Sequence, residues 1–327
     1  MGNHLHLMVG GQAVIEGVMM RGPGYTATAV RDPDGVIQVE KKPVHSISDR
    51  FPILKKPMLR GTVSLIESLV IGIRSLSYSA KMAGEEDEQL SDKEMAGTIF
   101  FALVLASVLF IAIPTGAAKF FHFITEDPFF LNLMEGFLRL AIFLGYIWGI
   151  SRMADIRRVF QYHGAEHKTI HCYEAGLPLT VENVQKFSRL HPRCGTNFLL
   201  IVMLVSIFVF AFLGWPTLWE RIASRVLLLP VVAGISYEII RIAGRTTNPI
   251  LLQAIKPGLW LQYLTTRPPQ DDMVEVAIES LKAVLPEDEI PAGSGDYRHS
   301  VHRIVRQPEM TGEPAVETVA VEHDERG

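Results

Sequence analysis

Cysteine is nearly missing from this chain: among 327 residues there are two, Cys172 and Cys194. That rules out a disulfide scaffold, and both thiols fall on the side of the chain read below as cytoplasmic, where they stay reduced. Charge is also scarce, with 20% charged residues against 48% apolar ones and a net charge of −4. A slightly negative chain does not carry the basic footprint of a nucleic-acid binder. No GxxxxGK[ST] phosphate loop is present, so the chain alone does not read as an ATP-driven machine. Residues 1–11 lack a basic start followed by an apolar core, so no cleavable targeting signal is expected there and insertion would rely on the first transmembrane helix.

Long apolar runs are what the chain has in excess. Residues 96–121, 131–150, 197–215 and 222–240 each approach the roughly 20 residues needed to cross a bilayer, which predicts four transmembrane helices. Within 198–213 the only polar side chain is Ser206, a purity that buried helices of soluble proteins seldom reach. Glu135 and Arg139 sit one turn apart near the start of the second run, where they can pair at the interface or inside the bundle. Basic residues fix the orientation: Arg152, Arg157, Arg158, Lys168, Lys186, Arg189 and Arg193 lie between the second and third runs, whereas the first loop offers only Lys119. That segment and both termini are therefore expected on the cytoplasmic side.

The remaining chain divides as follows. Residues 1–57 form an N-terminal cytoplasmic region with a β-hairpin, its strands 25–30 and 36–41 flanking the turn sequence Arg31-Asp-Pro-Asp-Gly35. Residues 58–95 are an amphipathic or re-entrant helix, 58–82, followed by an acidic connector. Helices one and two fill 96–150, a His/Glu-rich cytoplasmic segment 151–196, and helices three and four 197–240. Residues 241–285 are an interfacial segment broken at Asn248-Pro249 and Pro257-Gly258, ending in an amphipathic helix with Val274, Ala277, Ile278 and Leu281 on one stripe. Residues 286–327, rich in Pro, Gly, Glu and Asp, read as a disordered tail. The fold class is thus a mainly α integral membrane protein with four transmembrane helices, a small β-containing N-terminal region and juxtamembrane helices.

Chemistry concentrates at His163-Gly-Ala-Glu-His-Lys-Thr-Ile-His-Cys-Tyr-Glu174. On a helix turning roughly 100° per residue, His163, Glu166, His167, His171 and Glu174 share an arc of roughly 140°, and Cys172 faces away. His163-x-x-Glu166-His167 has the order of the inverted zinc-hydrolase pattern: histidines at i and i+4 overlie each other and converge on one ion, and the glutamate serves as base toward water. A third ligand is needed, and His171, Glu174, His191 or Cys194 could supply it. Gly176 and Pro178 end the helix, and Thr180 caps a second one, to about Leu190, that returns His191 and Cys194 to the same surface. The alternative is a set of interfacial side chains bonding one another and lipid phosphates.

Three motifs, Gly10-Gly-Gln-Ala-Val-Ile-Glu-Gly-Val-Met-Met-Arg-Gly22, His163-Gly-Ala-Glu-His-Lys168 and His191-Pro-Arg-Cys-Gly-Thr-Asn197, together resemble the YqhQ-like bacterial membrane family, also called domain of unknown function 1385. The resemblance runs from about Gly10 to about Leu285 and implies a bacterial cytoplasmic (inner) membrane protein, multi-pass, labelled a metal-dependent enzyme of open substrate. The functional expectation is a membrane-embedded hydrolase: metal ligands drawn from His163, His167, His171, Glu174, His191 and Cys194, Glu166 as general base, and Glu16 and Arg21 completing the site from the N-terminal motif. The cofactor expected is a divalent metal, zinc first and iron second. An iron-dependent oxidase or hydroxylase, and a non-enzymatic scaffold or transport component, are the alternatives. The partner expected is the lipid bilayer, a homo-oligomer is compatible with it, and nucleic acid is not.

Overall fold

The structure, a computed structural model, describes residues 9–84, 91–215, 217–243, 249–295, 297 and 301–305. Strands β1 (Gly10–Val14), β2 (Gly17–Arg21), β3 (Tyr25–Arg31) and β4 (Ile37–Pro43) form an antiparallel meander. β5 (Val301–Val305) joins it parallel to β4. The expected β3–β4 hairpin is present, with Gly35 at φ 84° and the Asp32 carboxylate accepting from the Val36 N–H at 2.8 Å. The glycine-rich motif upstream is a second hairpin of the same sheet, turning at Glu16, whose φ is +50°.

Helices follow in chain order: α1 (Ile47–Arg50), α2 (Leu59–Ala83), α3 (Asp92–Ser107), α4 (Ile113–Ala117), α5 (Pro128–Ile150), α6 (Ala154–Glu174), α7 (Val181–Gln185), α8 (Gly195–Ala211), α9 (Leu218–Ala243), α10 (Pro249–Thr265) and α11 (Asp271–Val284). Among the described residues three helices are long and apolar enough to cross a membrane: Lys93–Phe123, Pro128–Ile150 and Leu218–Ile242. The third expected crossing, 197–215, is realised as α8, whose 17 residues span about 26 Å, short of a roughly 30 Å hydrocarbon core. It stops because Phe212–Gly214 turn out of the helix, Gly214 taking φ 65°.

Lys93–Phe123 contains a π-helical segment at Val108–Ala112, one residue before the helix α4 that carries Pro114. Proline has no N–H to give the carbonyl four residues back, and that carbonyl, Phe110 O, accepts instead from Arg139 Nε at 3.0 Å. Glu135 and Arg139 therefore face the bundle, where Glu135 also meets Arg221 and Arg225.

The sheet is covered on both faces. Val14, Met19 and Val30 pack on α2 through Ile71, Tyr78 and Met82. On the other face α11 lies between the sheet and α6, with Val274, Ala277, Ile278 and Leu281 fully buried. The predicted amphipathic stripe is present, and the helix that carries it is the centre of the core. The N-terminal end of α2 runs along α9, where Gly61 faces Tyr237, Gly234 faces Met58, and Arg60 pairs with Glu238 at 2.5 Å. The small residues let the two helices approach closely.

Two further expectations are corrected. Pro257-Gly258 does not break the chain: α10 continues through it, and Gly258 is where Asn197 packs. Residues 286–295 belong to the fold rather than to a disordered tail, since Ile290 packs on the core and the Ser294 hydroxyl accepts from the Leu179 N–H at 2.9 Å. β5 is a second departure from that expectation, and 306–327 lie outside the described residues.

Candidate metal centre

α6 ends as predicted. Gly176 takes φ 68°, its N–H bonds the Tyr173 carbonyl, and the Leu177 N–H bonds the Cys172 carbonyl, the two bonds of a Schellman cap. Thr180 caps α7 by accepting from the Asn183 N–H, but α7 ends at Gln185 rather than near Leu190. The reason lies in α6. Lys168 Nζ, His167 Nδ1 and His171 Nε2 donate to the carbonyls of Gln185, Arg189 and Leu190, at 2.7, 2.6 and 2.9 Å. Those side chains hold the chain after α7 as an irregular segment running back along α6.

That segment delivers Cys194 to the histidines. His163, His167 and Cys194 each offer a ligand atom, all within 4.8 Å of one another. His163 Nδ1 meets the Thr265 carbonyl at 2.8 Å, and a carbonyl only accepts, so the proton is on Nδ1 and the Nε2 lone pair points at Cys194 Sγ, 3.2 Å away. The Arg189 carbonyl fixes the same tautomer on His167, whose Nε2 is buried and has no partner. A carbonyl holding one ring nitrogen so that the other presents its lone pair is the usual support of a metal-binding histidine. Burial, then the neighbouring His163, holds His167 well below its ordinary pKa, so the ring is neutral at pH 7. Burial pushes the Cys194 thiol up.

Glu166 sits beside this group, buried, with Oε2 unpartnered. Burial raises its carboxyl to about 8, with His163 pulling it down, Cys194 pushing it up and the Gly11 backbone N–H pulling it down. Gly11 is required here: a Cβ would lie 3.2 Å from Glu166 Cδ and 2.4 Å from the Met19 carbonyl. Gly164 is required on the other side of α6, where a Cβ would lie 2.1 Å from the Arg267 carbonyl. The close approach it permits brings the Thr265 carbonyl to His163.

The other candidates divide. His171, Glu174 and His191 form a separate group. There the Arg193 N–H donates to His191 Nδ1 at 3.3 Å, leaving the proton on Nε2, which faces Glu174 at 3.6 Å, and Glu174 is paired with Arg193. Burial lowers His191 to about 4. Of the four residues considered for the third ligand position, Cys194 is the one brought to His163 and His167. Arg21 lines the same cavity, of about 400 Å³, together with Glu166, His167, His191 and Cys194, and contacts Glu67 at 3.5 Å. Glu16 does not line it: Glu16 pairs with Arg158 and accepts from the Tyr162 hydroxyl at 3.3 Å, which fastens the β1–β2 turn to α6. Cys172 lies apart, its thiol directed at the Leu177 and Pro178 carbonyls.

Sequence reading missed Gln262 and Thr265. Gln262 is fully buried and bonds both backbone groups of His191 at 2.8 Å, anchoring the segment that carries Cys194. Its signal, a glutamine inside the apolar run Leu259–Leu264, was present; the Thr265 contribution is a backbone carbonyl and has none.

A mainly helical protein with a small sheet, apolar helices long enough to cross a membrane, and a cluster of histidine, glutamate and cysteine is the class these observations define. The chain belongs to the family described as protein of unknown function (DUF1385), which matches residues 56–287. It is 42% identical over 296 residues to the "Uncharacterized protein YqhQ" of Bacillus subtilis (strain 168), covering 84% of this chain and 92% of that one. No solved structure matches it.

Proposed function

We propose that the chain is a metal-dependent hydrolase of the bacterial cytoplasmic membrane, with His163, His167 and Cys194 as ligands of a divalent cation, zinc first, and Glu166 as general base. In this reading four helices cross, α8 being completed by the turn after it, and both termini and the site face the cytoplasm. The observation that carries the reading is the pair of histidines with carbonyl-fixed tautomers, one with an orphaned buried Nε2, converging with a thiol. Imidazole and thiolate are both zinc ligands, and a catalytic zinc site takes three protein ligands and leaves a fourth position open. A cation held there supplies Lewis-acid chemistry and draws the adjacent Glu166 carboxyl toward ionisation. Ionised, Glu166, on the wall of the cavity, takes a proton from water there. Iron chemistry on all four histidines is less favoured, because His171 and His191 form a group apart from His163 and His167 and its carboxylate, Glu174, is paired with Arg193.

Glu166→Gln is expected to abolish turnover of any substrate the wild type hydrolyses, while metal content stays unchanged. Metal loss in this variant would instead make Glu166 a ligand. A second readout needs no substrate. A buried carboxyl with a folded pKa near 8 against an unfolded one near 4.5 contributes stability at low pH that is lost as pH rises from about 5 to 8. Metal-free wild type should therefore lose on the order of a few kcal/mol over that window, and metal-free Glu166→Gln should not. Equal pH profiles would remove the assignment of Glu166 as a buried acid.

One observation favours a second reading, a thiol nucleophile. Cys194 is the N-cap of α8 and lies 3.2 Å from a histidine lone pair, as a cysteine–histidine dyad would. Metal-free protein whose Cys194 is alkylated at a catalytic rate, with activity that survives chelators, would support it over the metal centre.

A further inference from the structure

A second polar centre lies at the opposite end of α5 from α6. Glu135 is fully buried and sits on the order of 20 Å along the helix from Ile150. Its two oxygens accept from Thr115 at 2.9 Å, from Arg139 at 2.9 Å, from Arg225 at 2.7 Å and from Arg221. A carboxylate offers about four acceptor positions, so Glu135 is saturated. It can neutralise one of the three guanidinium groups. Among the described residues no second carboxylate pairs with them, and two positive charges remain uncompensated inside an apolar bundle. Arg221 shows the deficit most directly: it is 5% exposed, its Nε N–H has no acceptor, and the group stacks on the Trp215 ring at 3.6 Å.

We propose that Arg139, Arg221 and Arg225 bind a phosphate oxyanion, supplied by the headgroup of an anionic phospholipid in the leaflet remote from the candidate metal centre. Two unpaired buried charges are costly, and a bound phosphodiester, with its single negative charge, halves that excess and takes the free N–H. The depth favours a lipid source over a soluble one. Arg221 is in the first turn of α9, and Asn132, which accepts from Arg225 at 3.3 Å, is in the first turn and a half of α5. Around this end Phe120, Phe123, Phe130, Phe212 and Trp219 are all more than half exposed, an apolar surface suited to lipid, with Trp219 of the type that sits at headgroup level.

The test uses the full chain purified into zwitterionic detergent and into phosphatidylcholine nanodiscs with or without phosphatidylglycerol. Native mass spectrometry should find one tightly held anionic phospholipid per chain. Phosphatidylglycerol should raise the melting temperature of wild type, and Arg221→Gln should weaken its binding about tenfold, the loss of one charge-assisted contact. Arg221→Gln is chosen because Glu135 keeps Arg139 and Arg225; should it not fold, the lipid count on wild type decides alone. Stabilisation by millimolar inorganic phosphate equal to that by the lipid would overturn the lipid source. A chain that retains no anionic lipid and responds to neither probe would overturn the site, leaving the metal centre untouched.

Discussion

His167→Ala is expected to strip the protein of its metal. His167 is the ligand whose geometry is most completely set: its Nδ1 proton is held by the Arg189 carbonyl at 2.6 Å, its Nε2 has no other partner, and its burial keeps it neutral. If the roughly 10–16 kcal/mol of a four-ligand zinc site is shared evenly, one ligand carries about 3 kcal/mol, or at least about a hundredfold in affinity. Elemental analysis after dialysis should give about one metal per chain for wild type and nearly none for the variant. His171→Ala is the control. That ring stacks on Phe187 and donates to Leu190, outside the proposed ligand group, so the metal should remain. Equal metal loss in both variants would point to a disturbed α6 rather than to a lost ligand.

Gly164→Ala should be strongly destabilising. The added carbon would lie 2.1 Å from the Arg267 carbonyl and 3.4 Å from a ring carbon of Pro269, and the carbonyl belongs to backbone that Arg267 itself ties to the Phe160 carbonyl at 2.7 Å. α6 and the chain after α10 must then separate. Overpacking costs typically about 1–3 kcal/mol, and a clash against fixed backbone belongs at or above the upper end. Because the same contact places the Thr265 carbonyl on His163, metal affinity should fall together with the melting temperature. A variant that melts like wild type and binds metal normally would show that the α6–α10 junction is looser than described.

Much of the fold was legible where the signal is local. The β3–β4 hairpin announced itself by Pro-Asp-Gly, the end of α6 by Gly176, the start of α7 by Thr180, and the stripe of α11 by its spacing. What failed was non-local. α11 became the core because segments from 9–43, 154–185 and 271–285, far apart in the chain, converge on it. The length of α7 was misjudged because three side chains of α6 capture its trailing carbonyls. In the site, periodicity correctly placed His163, Glu166 and His167 on one face. It could not choose among His171, Glu174, His191 and Cys194, because that choice depends on the path of the chain after α7. Glu16 went the other way, since a charged residue at a hairpin turn looks the same in sequence whether it meets a substrate or an arginine.

Cobalt substitution tests the central claim most directly. Cobalt(II) added to metal-free protein should give the visible bands of a low-symmetry four-coordinate site together with a thiolate-to-cobalt charge-transfer band, because Cys194 lies with His163 and His167. In Cys194→Ser the charge-transfer band should vanish while visible bands persist. Titrations in which wild type gives neither, or in which Cys194→Ser keeps the charge-transfer band, would contradict the assignment of His163, His167 and Cys194 as one metal centre.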